Sequence, residues 1–192
     1  MDQNKQIRKW LKETIDLSDA ERIATSQVSI FKECVDSIHG KTANQIKTLT
    51  KTILPRVALY KALKNDPLLS DRAYELVRKY MIEVIGRQKH ESTAILDKIP
   101  GFYRMYSKSF LRIMRTTDLQ VSTQQEGKDH YDITITSCLW YNACVEHGCP
   151  ELCRAFCEVD DITYGGLTKL GFTRTQTLGT GGECCDFHFY RK

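Results

Sequence analysis

The segment from Pro150 to Tyr164 carries an unusual set of side chains. At i, i+3, i+4, i+7, i+8 and i+11 it reads Cys153, Phe156, Cys157, Asp160, Asp161 and Tyr164. On a helix these positions share one face. An ordinary core stripe would place Leu or Val there, not two thiols and two carboxylates beside two aromatic rings. A carboxylate held against apolar surface is costly unless it is paired, or neutral through a raised pKa. Groups in that condition are candidates for acid–base chemistry. Asp160 is the candidate general base. Cys157 is an alternative nucleophile, although a nearby carboxylate raises a thiol's pKa and works against its activation. Asp161 and Asp160 each also fit a plainer reading, in which one of the two simply points to water at the helix edge.

Arg174 is the complementary anomaly. It falls in line with Leu170, Phe172, Gln176 and Leu178, in a segment that alternates like a strand. A guanidinium there can receive a substrate carboxylate through two parallel hydrogen bonds. An edge strand with a solvated arginine is the alternative. The Gly179-Thr180-Gly181-Gly182 turn either closes a hairpin or brings backbone N–H groups near a ligand. Seven of the eight cysteines follow residue 137. Cys149, Cys153 and Cys157 lie four apart, and Cys144, His147, Cys184 and Cys185 are further possible ligands. The compact C-x2-C pairs of zinc ribbons are absent, however. Cys184 and Cys185 would also point to opposite faces of a strand. The expectation is thiols, with no metal and no cofactor. His130, His147 and His188 have no spacing that singles them out.

The elements that must position these groups follow from periodicity. Ser18-Asp19-Ala20-Glu21 has capping-box spacing, which predicts a helix start, with Gly40 as a stop. A second helical stretch runs from Thr42 to Lys64, and Pro55 either kinks it or opens a new helix. Leu69, Ala73, Leu76, Val77, Tyr80, Val84 and Ile85 form the clearest helical stripe. After the Pro100-Gly101 break, Tyr103, Tyr106, Phe110, Ile113 and Met114 form another. Both stripes read as core. Beyond Asp118 the period changes to two. Leu119–Ser122 and Asp132–Thr136 alternate around a turn at Glu126–Asp129, which predicts an antiparallel hairpin. Pro150 suits a helix start and Gly165-Gly166 a stop. Leu170–Leu178 and Cys185–Phe189 complete the set, with Cys185, Phe187 and Phe189 on one face.

The β-β-α-β-β order predicts an α+β fold, a helical N-terminal region packed on a small antiparallel four-stranded sheet with helices on one face. The expected organisation is a helical region over 1–116 and an α/β region over 117–192 that holds the site, forming one compact unit. The 192 residues suffice for a core without staples. Residues 1–128 carry 23 Lys/Arg against 15 Asp/Glu, and residues 129–192 carry 5 against 9. The basic charges of the first part are spread along helix faces, not packed in a run, so no nucleic-acid partner is expected. No apolar run reaches the ~18–20 residues of a bilayer span, so no membrane partner is expected. With no secretory signal, the expected location is cytoplasmic.

Several segments together resemble one family. Leu54-Pro55-Arg56-Val57-Ala58-Leu59-Tyr60 is similar to a helical motif of the L-2-amino-thiazoline-4-carboxylic acid hydrolase family, as is Cys138 at a strand end before Trp140-Tyr141. The stronger match is Gly148-Cys149-Pro150-Glu151-Leu152, Cys157 with Asp160, Phe172-Thr173-Arg174-Thr175-Gln176-Thr177-Leu178, Gly181-Gly182, and Cys185-Asp186-Phe187-His188-Phe189. These cover about half the chain in order and spacing. Cys144, Cys153 and Cys184 are additional to the pattern. The C-terminal half also resembles vinyl-reductase-type, TRAPP-like small-molecule-binding domains.

The resemblance implies a small-molecule substrate and an activity that opens a thiazoline ring to give N-carbamoyl-L-cysteine. It implies a site with Asp160 and Cys157 as catalytic residues. Arg174, Cys138, Tyr141, Thr177, Gly181, Gly182 and Cys185 would contact the substrate. Two other classes of function stay open on the sequence. One is a non-catalytic sensor module that binds a small molecule or metal. The other is an interaction protein that assembles, for instance as a homo-oligomer, through exposed helices or a sheet edge.

Overall fold

A computed structural model describes residues 3–192. The fold is α+β, with a four-stranded antiparallel sheet and helices. Its contacts group into two compact units. One comprises the chain up to Tyr80 with Ala143–Leu152, and the other Met81–Asn142 with Cys153–Lys192.

The first unit is helical, with α1 (Gln3–Thr14), α2 (Leu17–Asp36), α3 (Ala43–Thr48), α4 (Leu54–Lys64) and α5 (Ala73–Tyr80). The capping box expected at Ser18 is not formed. The helix already begins at Leu17, and Asp16 flanks it without a side-chain cap. The working capping box is at α3, where Thr42 accepts from the Gln45 N–H and the Gln45 side chain accepts from the Thr42 N–H. Pro55 opens α4 in its first turn. Proline has no N–H to give to the preceding turn, and residues Leu49–Ile53 just before it relax into a π-helical turn. Val57, Ala58, Leu59, Ala62 and Leu63 make α4 the buried centre of this unit.

The second unit holds α6 (Arg87–Asp97), α7 (Phe102–Thr116), β1 (Gln120–Glu126), β2 (His130–Cys138), the first turn of α8 (Leu139–Glu146), α9 (Cys153–Tyr164), β3 (Leu170–Thr173) and β4 (Cys185–Arg191). The sheet order is β1-β2-β4-β3. The hairpin turn falls after Glu126, as expected. Register pairs Tyr131 with Phe189, Ile133 with Phe187 and Ile135 with Cys185. These inward residues meet Phe102, Leu111 and Met114 of α7, Tyr164 of α9, and Leu167. Ile113 departs from the expected stripe and is 57% exposed, while Leu111 takes the buried position.

The strand expected over Leu170–Leu178 stops at Thr173. Asp186 explains the stop. Its carboxylate accepts from the backbone N–H groups of Thr175 and Gln176 and from the Thr175 hydroxyl. A side chain thus replaces the neighbouring strand as acceptor, and the ladder ends. Arg174 therefore lies just beyond β3 and not within it.

Two contacts fix α6 in this unit. Gly86 ends a π-helical segment, Met81–Gly86, that precedes α6. A Cβ at Gly86 would stand 3.0 Å from Ile162 Cγ2 on α9, so glycine allows the close approach. At the other end of α6, buried Asp97 accepts from the Thr168 N–H at 2.6 Å, the Thr168 hydroxyl at 2.6 Å and the Lys169 N–H at 3.0 Å. Burial works to raise this carboxyl's pKa, but the three donors outweigh it and hold the group below its usual range.

Asp97→Ala would remove the buried acceptor that these three donors share. We expect a loss of about 2–4 kcal/mol at neutral pH, read as a lower Tm. A depressed carboxyl pKa gives stability that is present above the unfolded value and lost as pH falls. The difference between wild type and variant should therefore shrink toward acid. An unchanged Tm at neutral pH would contradict the clamp.

Candidate active site around Asp160

Asp160 projects from α9 with 32% of its side chain open to solvent. Protein crowds its other sides. Tyr164 lies one turn on, and Tyr106 comes from α7. Their hydroxyls are 2.7 Å apart. Burial pushes both phenols up, Tyr106 to about 12 and Tyr164 well above its ordinary value, so both are neutral at physiological pH. Burial likewise raises Asp160 to about 6. Lys89 of α6 and Arg174 pull it back, while Asp161 pushes it further up. A carboxylate poised near neutrality, with one open side, has the properties of a general acid–base group.

Arg174 is 11% exposed. Its guanidinium carbon sits 5.8 Å from the Phe172 ring centre and 5.9 Å from that of Phe187. Nη2 donates to Asp161 Oδ2 at 2.5 Å and to the Cys157 carbonyl at 3.0 Å. Nη1 stands 4.0 Å from Asp160 Oδ2 and is buried without a hydrogen-bond partner. A planar Nη2 has two hydrogens, and both are committed. The two terminal nitrogens therefore do not present a free fork to a ligand.

The thiols gather behind the carboxylates. Cys138 ends β2 at the start of α8, and its sulfur accepts from the backbone N–H groups of Tyr141 and Trp140. Burial raises this thiol, the two amides pull it back, and Cys157 and Asp160 act on it from nearby. Cys157 hydrogen-bonds with Cys153 and Thr177. The Cys153 bond and burial both keep it a thiol. Burial raises Cys185 to about 12, and its sulfur accepts from the Leu178 N–H at 3.4 Å. Gly179 closes over the pair on α9. A Cβ there would stand 3.0 Å from both Cys153 Sγ and Cys157 Sγ.

The fold therefore brings together Asp160, Arg174, Cys157, Cys138, Cys185 and Thr177. Tyr141 contributes its backbone N–H to Cys138. Gly181 is exposed at φ +85, where it terminates the Leu178–Thr180 turn. Gly182 packs against Gln176 and Thr177. Neither glycine has a contact that joins it to the carboxylates. Cys144 and Cys149 belong to the helical unit. Among the described residues no disulfide joins any of the cysteines. Among the described residues no group of three or more His, Cys, Asp or Glu side chains has the geometry of a metal site. His188 instead pairs with Asp132 at 2.6 Å.

Tyr106 and Lys89 are the site neighbours that sequence reasoning missed. Tyr106 sits in an aromatic stripe that reads as core, and Lys89 is one of many helix-surface lysines. Neither has a local signal, because each meets Asp160 only through tertiary packing.

The chain matches the L-2-amino-thiazoline-4-carboxylic acid hydrolase family over residues 43–189. It belongs to that family, and the residues that gather around Asp160 all fall within the matched stretch. No curated protein matches it. Among solved structures it is similar to the Fe(II) unliganded H-NOX protein from K. algicida, at 8% identity and a TM-score of 0.35, covering 99% of this chain and 95% of that one. A score at that level does not establish a shared fold. Among the described residues no helix is long and apolar enough to cross a membrane.

Asp160 should destabilise the protein that carries it. A raised carboxyl pKa means that the favourable contribution is present at low pH and is lost as pH rises toward about 6. Asp160→Asn should therefore raise stability near pH 7.5 by on the order of 1–2 kcal/mol, or a few degrees in Tm. The gain should vanish near pH 4. A Tm lowered at pH 7.5 would show that the carboxylate is instead a stabilising partner of Arg174.

Proposed function

We propose that the protein hydrolyses a small cyclic amidine-like substrate, opening the ring of L-2-amino-thiazoline-4-carboxylate to give N-carbamoyl-L-cysteine. The family membership supports a hydrolase in general terms. The observation that carries the reading is Asp160, with its pKa raised to about 6 beside two cations.

The ring carbon between sulfur and nitrogen is the electrophile. Asp160, ionised, takes a proton from water as the oxygen attacks that carbon. The electron pair of the carbon–nitrogen double bond moves to the ring nitrogen, which takes this proton from Asp160. The carbon–sulfur bond then breaks as the new hydroxyl forms the carbonyl and its proton passes through Asp160 to the departing sulfur. One water is consumed, and the product carries a urea group and a free thiol. A carboxyl pKa near neutrality suits both halves of this cycle. The buried, hydrogen-bonded thiols of Cys157, Cys138 and Cys185 stay protonated and form a polarisable wall, not a nucleophile. Arg174 orients the carboxylate pair of Asp160 and Asp161, and Thr177 holds Cys157. Tyr106 and Tyr164, hydrogen-bonded to each other, stay neutral beside the base.

Purified protein incubated with L-2-amino-thiazoline-4-carboxylate should release thiol and N-carbamoyl-cysteine, followed by mass spectrometry. Asp160→Asn should lower turnover by about 10²–10⁴-fold. Cys157→Ser should retain most of it. In the wild type kcat/KM should fall as pH drops through about 6, because the base must be ionised. Full activity in Asp160→Asn would sink the assignment. Saturable binding without product would favour a ligand-binding module.

A further inference from the structure

We propose that the shallow depression between α6 and α9 is the subsite for the anionic end of the substrate, with Lys89 as its carboxylate-binding residue. This rests on the hydrolase reading and deepens it by naming what recognises the substrate's charge.

The depression has a volume of about 420 Å³ and is lined by Gln88, Lys89, Ser92, Thr93 and Thr163. Its hydroxyl hydrogens are already committed. Ser92 donates to the Gln88 carbonyl at 2.9 Å, Thr93 to the Lys89 carbonyl at 2.9 Å, and Thr163 to the Val159 carbonyl at 2.6 Å. The donors left for a ligand are the Lys89 ammonium and the Gln88 amide. No acidic residue is among the five lining side chains. A depression whose free donors include one cation, and whose lining has no carboxylate, selects a small monoanion. A single flexible ammonium also suits a carboxylate approaching from solvent.

Position joins this depression to the reacting group. Thr163 and Asp160 lie three residues apart on α9, so they are neighbours on its surface. Lys89 lies three residues beyond Gly86, the glycine whose missing Cβ lets the chain before α6 approach Ile162 of α9. The preceding segment is π-helical, a distortion that is frequent at functional sites. A substrate anchored by its carboxylate at Lys89 can extend its ring toward Asp160. Arg174 does not offer the same grip. Its Nη2 is committed to Asp161 and the Cys157 carbonyl, and its unpartnered Nη1 is buried.

The test compares L-2-amino-thiazoline-4-carboxylate with 2-amino-2-thiazoline, the same ring without the carboxylate, on wild type and Lys89→Met. Lys89 is exposed, so the variant should fold. We expect KM for the acid to rise about 10- to 100-fold in Lys89→Met, the range of a lost charge-assisted hydrogen bond. Loss of the Lys89 charge also lets Asp160 rise further, so the kinetics are read well above pH 6, where the base stays ionised. Lys89→Arg should restore part of the loss. An effect of the lost charge on Asp160 falls on both compounds alike. The ratio of kcat/KM for the acid to that for the uncharged-tail analogue should therefore fall about 10- to 100-fold, with KM for the analogue unchanged. An unchanged KM for the acid, or equal losses for both ligands, would overturn the subsite. If the wild type turns over neither compound, calorimetric titration with each replaces kinetics. Binding of the acid that depends on Lys89 then keeps the subsite and removes the hydrolase reading. Absent binding, or binding that ignores Lys89, overturns the subsite.

Discussion

A carboxylate that the protein surrounds on most sides but leaves open on one organises this site. Asp160 keeps a third of its side-chain surface wet, yet burial raises it to about 6. The opposing forces are close to balance. Desolvation favours the neutral acid, Lys89 and Arg174 favour the anion, and Asp161 tilts the balance back toward the acid. Had Arg174 reached full contact with Asp160, the pair would be an ordinary salt bridge with a depressed carboxyl pKa. Instead its Nη2 is held by Asp161 and by the Cys157 carbonyl. The Arg174–Asp160 distance stays at the edge of ion pairing, 4.0 Å. Asp161, which taken by itself reads as a solvated helix-edge residue, thus acquires a role. It occupies the arginine that would otherwise neutralise its neighbour.

The surrounding elements make sense as supports for that arrangement. Phe172 and Phe187 flank the guanidinium, so it cannot swing freely. Asp186 ends β3 at Thr173 and turns the chain. That turn sets Arg174 against α9, where a continued strand would have followed the ladder. Gly179 allows the returning loop to lie on Cys153 and Cys157. Gly86 and Asp97 hold the two ends of α6. These are local departures from ideal strand and helix, and they occur where the chain must approach α9 closely. Such departures at a site are consistent with function bought at some cost in stability.

Much of this was legible from the residues alone, and for definite reasons. The shared helix face of Cys153, Cys157, Asp160 and Tyr164 follows from the 3.6-residue period, which the fold does not alter. The hairpin at Glu126–Asp129 and the inward face of Cys185, Phe187 and Phe189 follow from period two. What was not legible depends on long-range partners. The alternation through Leu178 mimicked a strand because nothing local reveals that Asp186 will capture the Thr175 and Gln176 amides. The Ser18 capping box matched a spacing, but the helix had already started. Thr42 and Gln45 carry the same spacing, and there the box forms. Lys89 and Tyr106 carry no signal along the chain, because a surface lysine and an aromatic stripe gain meaning only when α6 and α7 are placed beside α9.

The central claim is a property of one proton. Carbon-13 NMR of the Asp160 side-chain carboxyl, assigned by its loss in Asp160→Asn and followed from about pH 3 to pH 9, measures it directly. A midpoint near 6 is the result this account requires. A midpoint near 4, the value of a solvated aspartate, would mean that Arg174 and water satisfy the carboxylate fully. Asp160 would then not be the acid–base group of this site.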